Sequence, residues 1–413
     1  MMAGLLPQPV WSRPDSPGTR SALRELNSSS GHPLLEVSGL PLSGERIHAH
    51  YRFRCAPAKA AEIARFLVHE HTVELPSDVL PEGFLASDIV GRVDSISANP
   101  DGSSACILSY ASEVASGGLT TLLTLLSGNG SFLPVIELQD VELPRGFAGA
   151  SSGPRFGVDG IRSLLGVKNG ALGATALKPV GASPRELARI ASALALGGMD
   201  IIKEDDGVST QVFAPFHERV ERCAAAIADA SSKTGKPCIY FANITGPMEG
   251  LAERAYFAKE KGATGIEILP GPMGLDSIRM VSSLPGLDLP VISHCAWQGA
   301  LCRPPNPAIS MPLVFGLFPR LAGADLSIMP GFGGRFDIPR KACRSVTEAL
   351  QRPCGNLRPA LPMPGGGVTM DRLAEFVDVF GQDTALLMSG ALFQKPDLTQ
   401  ACNDFMTAVR DLR

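Results

Sequence analysis

From residue 170 to the carboxyl end, short apolar runs recur with helix-length segments between them. The runs fall at 174–177, 200–202, 238–241, 265–269, 291–293, 325–328, 358–361 and 385–388. Runs this short, apolar on both faces and bounded by turn residues, read as strands of a parallel sheet. Segments with helical spacing occupy 184–196, 217–231, 248–261, 370–380 and 404–412. Eight strands, most of them followed by helix-like sequence, predict a (β/α)8 TIM barrel over 151–413. An open doubly wound sheet would carry a glycine-rich nucleotide fingerprint after its first strand, and none follows 174–177.

Ahead of the barrel the order is different. Strand-like 47–53, helical 58–68 behind Pro57, strand-like 103–109, apolar helical 119–126 and strand-like 132–138 do not alternate strictly. They predict a small ferredoxin-like α+β domain over 44–150. Residues 1–43, rich in Pro, Ser and Gly, are expected to be a flexible extension. The 413 residues carry 37 basic against 41 acidic side chains, net −4, with no basic block, which argues against nucleic acid or an anionic membrane as partner. Nine cysteines without a CxxC pair read as reduced thiols. No apolar run has membrane-spanning length and no secretory signal opens the chain, so a cytoplasmic protein is expected.

In a barrel of this kind, chemistry sits at the carboxyl ends of the strands. Those ends carry Lys178-Pro179, then Lys203-Glu204-Asp205-Asp206, Asn243, His294, the run Pro330 to Arg335, Gly365-Gly366-Gly367, and Ser389-Gly390. Asp205 and Asp206 just past a strand are hard oxygen ligands suited to Mg2+; a plainer role is a helix cap or a solvated cluster. Lys203 becomes a metal ligand only after CO2 converts it to a carbamate. Lys178 is an acid or base if its pKa is lowered, or else a salt-bridge partner of the acidic cluster. Gly366, Gly367, Ser389 and Gly390 follow the last two strands, where this fold commonly cradles phosphate. Asn243 and His294 end apolar strands and are read as substrate-binding and catalytic, against a structural role. No GxSxG, Walker A or HExxH pattern occurs.

The segment Gly197-Gly198-Met199-Asp200-Ile201-Ile202-Lys203-Glu204-Asp205-Asp206 resembles the metal-site segment of the ribulose-bisphosphate carboxylase large-chain family. Ala174-Thr175-Ala176-Leu177-Lys178-Pro179 resembles that family's strand with its first catalytic lysine. The resemblance runs from about 45 onward. It implies Mg2+ held by carbamylated Lys203, Asp205 and Asp206, and an obligate homodimer with shared active sites. Glu70, in His69-Glu70-His71-Thr72-Val73-Glu74, and Asn129, after Gly128, resemble the residues this family lends to the neighbouring subunit.

Three departures set the branch. Val180 stands where the carboxylases carry a second lysine, and Cys295 follows His294 where they carry an arginine. The sixth loop lacks their lysine and ends in Arg335, which is expected to be catalytic in its place. A neutral thiol cannot replace a bidentate arginine on phosphate. The chain therefore resembles the RuBisCO-like proteins (form IV), with a metal site and without the bisphosphate grip. What this implies is a Mg-dependent lyase or isomerase that forms an enolate from a phosphorylated keto-sugar or 3-oxo sugar acid. Decarboxylation or transcarboxylation and hydrolysis, as for 3-oxo-isoapionate 4-phosphate, are expected; the alternative is a methionine-salvage enolase of 2,3-diketo-5-methylthiopentyl-1-phosphate or isomerase of methylthioribulose-1-phosphate. The strand ends hold few Met or aromatic residues for a methylthio tail, which favours a polar sugar acid. A Schiff-base aldolase and a non-catalytic regulatory paralogue remain as other classes.

Overall fold

The computed structural model describes residues 32–145, 147, 153–303, 305–336 and 338–412. Of the expected extension over 1–43, residues 1–31 lie outside the described residues.

The first domain is an antiparallel four-stranded sheet in the order β2-β3-β1-β4. Its strands are β1 (Arg46–Phe53), β2 (Arg92–Ala98), β3 (Ser104–Ala111) and β4 (Ile136–Glu142). Burial along β1 alternates residue by residue, so Ile47, Ala49, Tyr51 and Phe53 face the core while His48 and His50 face out. Helices α1 (Pro57–Glu70) and α2 (Leu119–Ser127) contribute Ile63, Leu67, Leu122 and Leu126 to that core. Strand β2, mostly exposed, has too little apolar content to be read from sequence. The expected strand at 132–138 starts later, because Asn129–Phe132 forms a 3-10 turn first.

Helix α3 (Gly157–Leu165) leads into the barrel, and its Val158, Ile161 and Leu165 pack with the residues that fill the barrel interior. The eight parallel strands are β5 (Leu172–Leu177), β6 (Ile201–Glu204), β7 (Ile239–Asn243), β8 (Gly265–Ile268), β9 (Val291–Ser293), β10 (Leu326–Pro330), β11 (Leu361–Gly365) and β12 (Ala385–Leu387), closed in that order. The helices α4 (Pro184–Leu196), α5 (Phe216–Thr234), α6 (Leu251–Glu260), α7 (Asp276–Ser282), α8 (Arg340–Gln351), α9 (Leu373–Phe380) and α10 (Leu398–Asp411) lie between and after the strands. Helix α4 begins where its sequence dictates: Ser183 and Glu186 form a reciprocal capping box with Pro184 in the first turn, worth about 1 kcal/mol.

Strand β11 is displaced from the expected 358–361 because its sequence, Leu-Pro-Met-Pro-Gly, carries two prolines. Leu361 N–H donates to Asp325, and Gly365 O accepts from Gly331 at 2.8 Å, so the odd residues bond β10. Pro362 and Pro364 turn their missing donors towards β12, which pairs with β11 at Gly365↔Leu387 alone. The domains are joined by backbone bonds from Leu138 to Ala308 and from Ser310 to Leu138, and by a bidentate Arg352–Asp140 pair.

Candidate active site

The side chains that fill the barrel interior include Ala174 on β5, Ile201 on β6, Phe241 on β7 and Ile292 on β9. A strand repeats every two residues, so Lys203, Asn243 and His294 share their inward side, and Lys178 follows at the next turn of β5. The same parity brings in Glu267 on β8, because its neighbours Ile266 and Ile268 belong to the outer core.

Lys203 is the centre of the arrangement. Its Nζ, almost wholly enclosed, lies 3.1 Å from Glu267 Oε1 and 3.7 Å from Asp205 Oδ1. Lys178 Nζ meets the other oxygen of Asp205 at 2.9 Å. Burial pushes the Glu267 carboxyl up to about 8, outweighing the pull of Lys203. His294 is held well below its ordinary value, first by burial and then by Lys203 and Lys178. It is a neutral imidazole at pH 7. Its Nδ1 accepts the Ala296 N–H at 3.1 Å, which puts the ring proton on Nε2. Burial pushes the neighbouring Cys295 thiol up to about 12, so it offers no thiolate. Asp206 is exposed beside this group.

Glu204 and Asn243 have a different task from their neighbours. Both oxygens of the fully buried Glu204 are taken by Arg219, with Tyr240 Oη–H donating at 2.8 Å and the Asn243 N–H at 2.8 Å. Asn243, expected to bind substrate, is fully enclosed. Its amide donates to the carbonyls of Val208 (3.0 Å) and Asp205 (3.4 Å), and its Oδ1 accepts from Thr245 N–H. It pins the loop that carries Asp205.

At the opposite side of the mouth, Gly366 and Gly367 both have φ near +80°. A Cβ on Gly367 would stand 2.8 Å from Phe332 O and 2.9 Å from Gly334 N, so the loops after β10 and β11 pack backbone on backbone. Arg372 ties them further by donating to Gly367 O (2.9 Å), Gly333 O and Phe332 O. Ser389 precedes the short helix Gly390–Phe393, and a Cβ on Gly390 would meet nothing within 4 Å. Arg335 is exposed and its guanidinium lies over the Phe336 ring, 4.9 Å from the centroid; the structure does not bring it to Lys178 or Lys203 by any hydrogen bond or ion pair among the described residues.

Glu70 and Asn129 are brought together on the first domain, with Asn129 Nδ2 donating to Glu70 Oε1 at 2.8 Å. Buried His71 accepts the Gly130 N–H at 3.2 Å, and a Cβ on Gly130 would stand 2.5 Å from that ring, so glycine is required there. Neither Glu70 nor Asn129 is bonded to Lys178, Lys203 or His294 among the described residues.

The strand ends hold few Met or aromatic residues, but the loops beyond them carry several apolar side chains. Val180, Val212, Phe213, Met248, Trp297, Phe336 and Met370 are all exposed in the loops after the strands. They stand beyond the strand ends, which is why a reading confined to the ends passed over them. Glu267 also escaped the sequence reading, although it is the one acidic residue in the apolar run 265–269. Arg219 and Arg372 carried no such signal, because their partners are distant in sequence.

Among the described residues no three His, Cys, Asp or Glu side chains are placed to hold a metal. As an ammonium Lys203 repels a cation; as a carbamate it adds two hard oxygens beside Asp205 and Asp206, and the set then suits Mg2+. The fit runs through Lys203.

Residues 157–404 match the family described as ribulose bisphosphate carboxylase large chain, catalytic domain. The chain is 35% identical over 348 residues to ribulose bisphosphate carboxylase-like protein 1 of Rhodopseudomonas palustris, covering 84% of this chain and 93% of that one. It is 32% identical over 368 residues to 5-methylthioribulose-1-phosphate isomerase of Rhodospirillum rubrum, covering 88% and 96%. The crystal structure of a RuBisCO-like protein from Rhodopseudomonas palustris superposes with a TM-score of 0.80 at 34% identity, covering 89% of this chain and 99% of that one.

Proposed function

This chain belongs to the ribulose-bisphosphate carboxylase large-chain family, among its RuBisCO-like proteins, and from that premise we propose that it enolises a phosphorylated keto-sugar or 3-oxo sugar acid without fixing CO2. The observation that carries this reading is the convergence of Lys178, Lys203, Asp205 and His294 at one end of the barrel.

In the proposed reaction, Lys203 as a carbamate, Asp205 and Asp206 would hold Mg2+, which would supply positive charge beside the enolate oxygen. The remaining work falls to side chains. His294, neutral and protonated at Nε2, donates a hydrogen bond to a substrate oxygen and does not act as the base. Lys178 moves the proton at the reacting carbon or oxygen, and Asp205 holds its ammonium at the mouth. Gly366, Gly367, Ser389 and Gly390 receive one phosphate, the glycines by allowing close backbone approach. A second phosphate finds no cation at Val180 or Cys295, which is the argument against a bisphosphate carboxylase.

The substrate end away from the phosphate decides between two readings. A sugar acid needs polar partners there, whereas Phe213, Met248 and Trp297, exposed in loops after β6, β7 and β9, suit a methylthio tail. That observation favours the methionine-salvage enolase or isomerase as the second reading. A Schiff base on Lys203 is disfavoured, because the amine lies between two carboxylates.

The test is exchange of the substrate's carbon-bound hydrogen in D2O, with methylthioribulose 1-phosphate and a 3-oxo sugar-acid phosphate as candidates. Exchange by the wild type that is lost in Lys203→Ala is the expected result. Full exchange by Lys203→Ala would sink the reading.

A further inference from the structure

Two glutamates are fully buried at the barrel mouth, and they are treated differently. Glu204 has both oxygens saturated by Arg219, Tyr240 and Asn243. Glu267 has a single partner, Lys203 Nζ at 3.1 Å from its Oε1, and its Oε2 has no hydrogen-bond partner among the described residues. A carboxyl group kept in a closed site with one oxygen unpartnered is a costly way to fill a barrel strand. The interior positions Phe241 and Ile292 on the flanking strands show what packing alone selects. The one side-chain hydrogen bond Glu267 makes among the described residues is therefore its reason for being there.

We propose that Glu267 is the positioning residue of the Lys203 carbamate, its Oε1 accepting the Nζ–H that remains after CO2 has added. The inference deepens the function proposed above and rests on its carbamate reading. In the addition, the Lys203 ammonium releases one proton to solvent, and the amine lone pair forms a bond to the CO2 carbon. A carbon–oxygen π pair moves onto oxygen, and a second proton leaves nitrogen for solvent. One N–H is left on a planar nitrogen with three fixed directions. The side chain takes one and Glu267 Oε1 takes the N–H. The third, which carries the new carboxylate, then points away from Glu267; Asp205 Oδ1 lies 3.7 Å from the same Nζ. Glu267 thus sets the direction of the carbamate without touching substrate.

The experiment follows the carbamate itself. Wild type, Lys203→Ala, Glu267→Gln and Glu267→Leu are equilibrated with 13C-bicarbonate and Mg2+. Carbamate is read by 13C NMR and Mg2+ binding by calorimetry. Wild type is expected to give a carbamate resonance that Lys203→Ala lacks. Glu267→Gln keeps an acceptor oxygen and should retain the signal within about threefold. Glu267→Leu fills the site but leaves buried Lys203 with Asp205 as its remaining acidic neighbour, a cost to folding that its urea midpoint reads, and it should lose about tenfold or more in apparent CO2 affinity, with Mg2+ binding falling in parallel. A carbamate as strong in Glu267→Leu as in wild type overturns the inference, as does a Glu267→Gln chain no better than Glu267→Leu. Absence of the resonance in wild type overturns the carbamate reading itself, and the inference with it.

Discussion

The Lys178 ammonium on one strand end and the Asp205 carboxylate on the next are 2.9 Å apart, so the group expected to move protons also occupies an oxygen expected to bind metal. The two uses compete. Replacing Lys178 by Met should tighten Mg2+ binding about two- to fivefold, the worth of a partly exposed ion pair. Turnover should fall by about 10²-fold or more, as for loss of a general acid or base. Calorimetry and steady-state kinetics on one preparation check both. A variant that weakens Mg2+ binding would show that Lys178 supports the site instead of competing for it.

Carboxylation should be undetectable. Val180 is exposed at the mouth and Cys295 has its thiol pushed up to about 12, so neither offers charge to a second phosphate. Labelled CO2 offered with ribulose bisphosphate and Mg2+ should give no acid-stable product. A clear Mg-dependent product would place the chain among the carboxylases.

The Glu70–Asn129 pair makes an assembly prediction. It is held on the first domain by His71 and Gly130 and makes no bond to the barrel mouth of its own chain among the described residues. If it completes the partner's site, inactive Lys203→Ala and Asn129→Ala chains should regain activity on mixing, up to half that of wild type per dimer. No recovery after proven subunit exchange would remove Asn129 from a shared site.

Acid stability should report His71. Burial holds its pKa down at about 4, from 6.5. Below 6.5 the unfolded chain binds a proton that the folded chain refuses, so stability is lost as pH falls from 6.5 to 4. The loss reaches about 3 kcal/mol. His71→Gln keeps an acceptor for Gly130 N–H and cannot titrate, so its urea midpoint should fall less over that window. Parallel losses in both chains would assign the effect to other groups.

The eight-strand rhythm, the capping box at Ser183 and Glu186, and the polar residues at strand ends are local properties, and the sequence by itself determined them. Period and capping act over a few residues, so Lys178, Lys203 and His294 could be placed at the mouth before any fold was known. Pairing is a different matter. That Lys203 lies against Glu267, 64 residues on, and that Asn243 ties down the Asp205 loop, follows from closure of the barrel and from which strands become neighbours. The same holds for β11, expected at 358–361 and found at Leu361–Gly365, whose prolines are tolerated because β12 leaves that edge nearly unpaired. Closure also set the loops that carry exposed Met248, Trp297 and Met370, scattered along the chain, at one end of the barrel. Distances between side chains far apart in sequence depend on the register of every strand between them, and that was decided only in the tertiary structure.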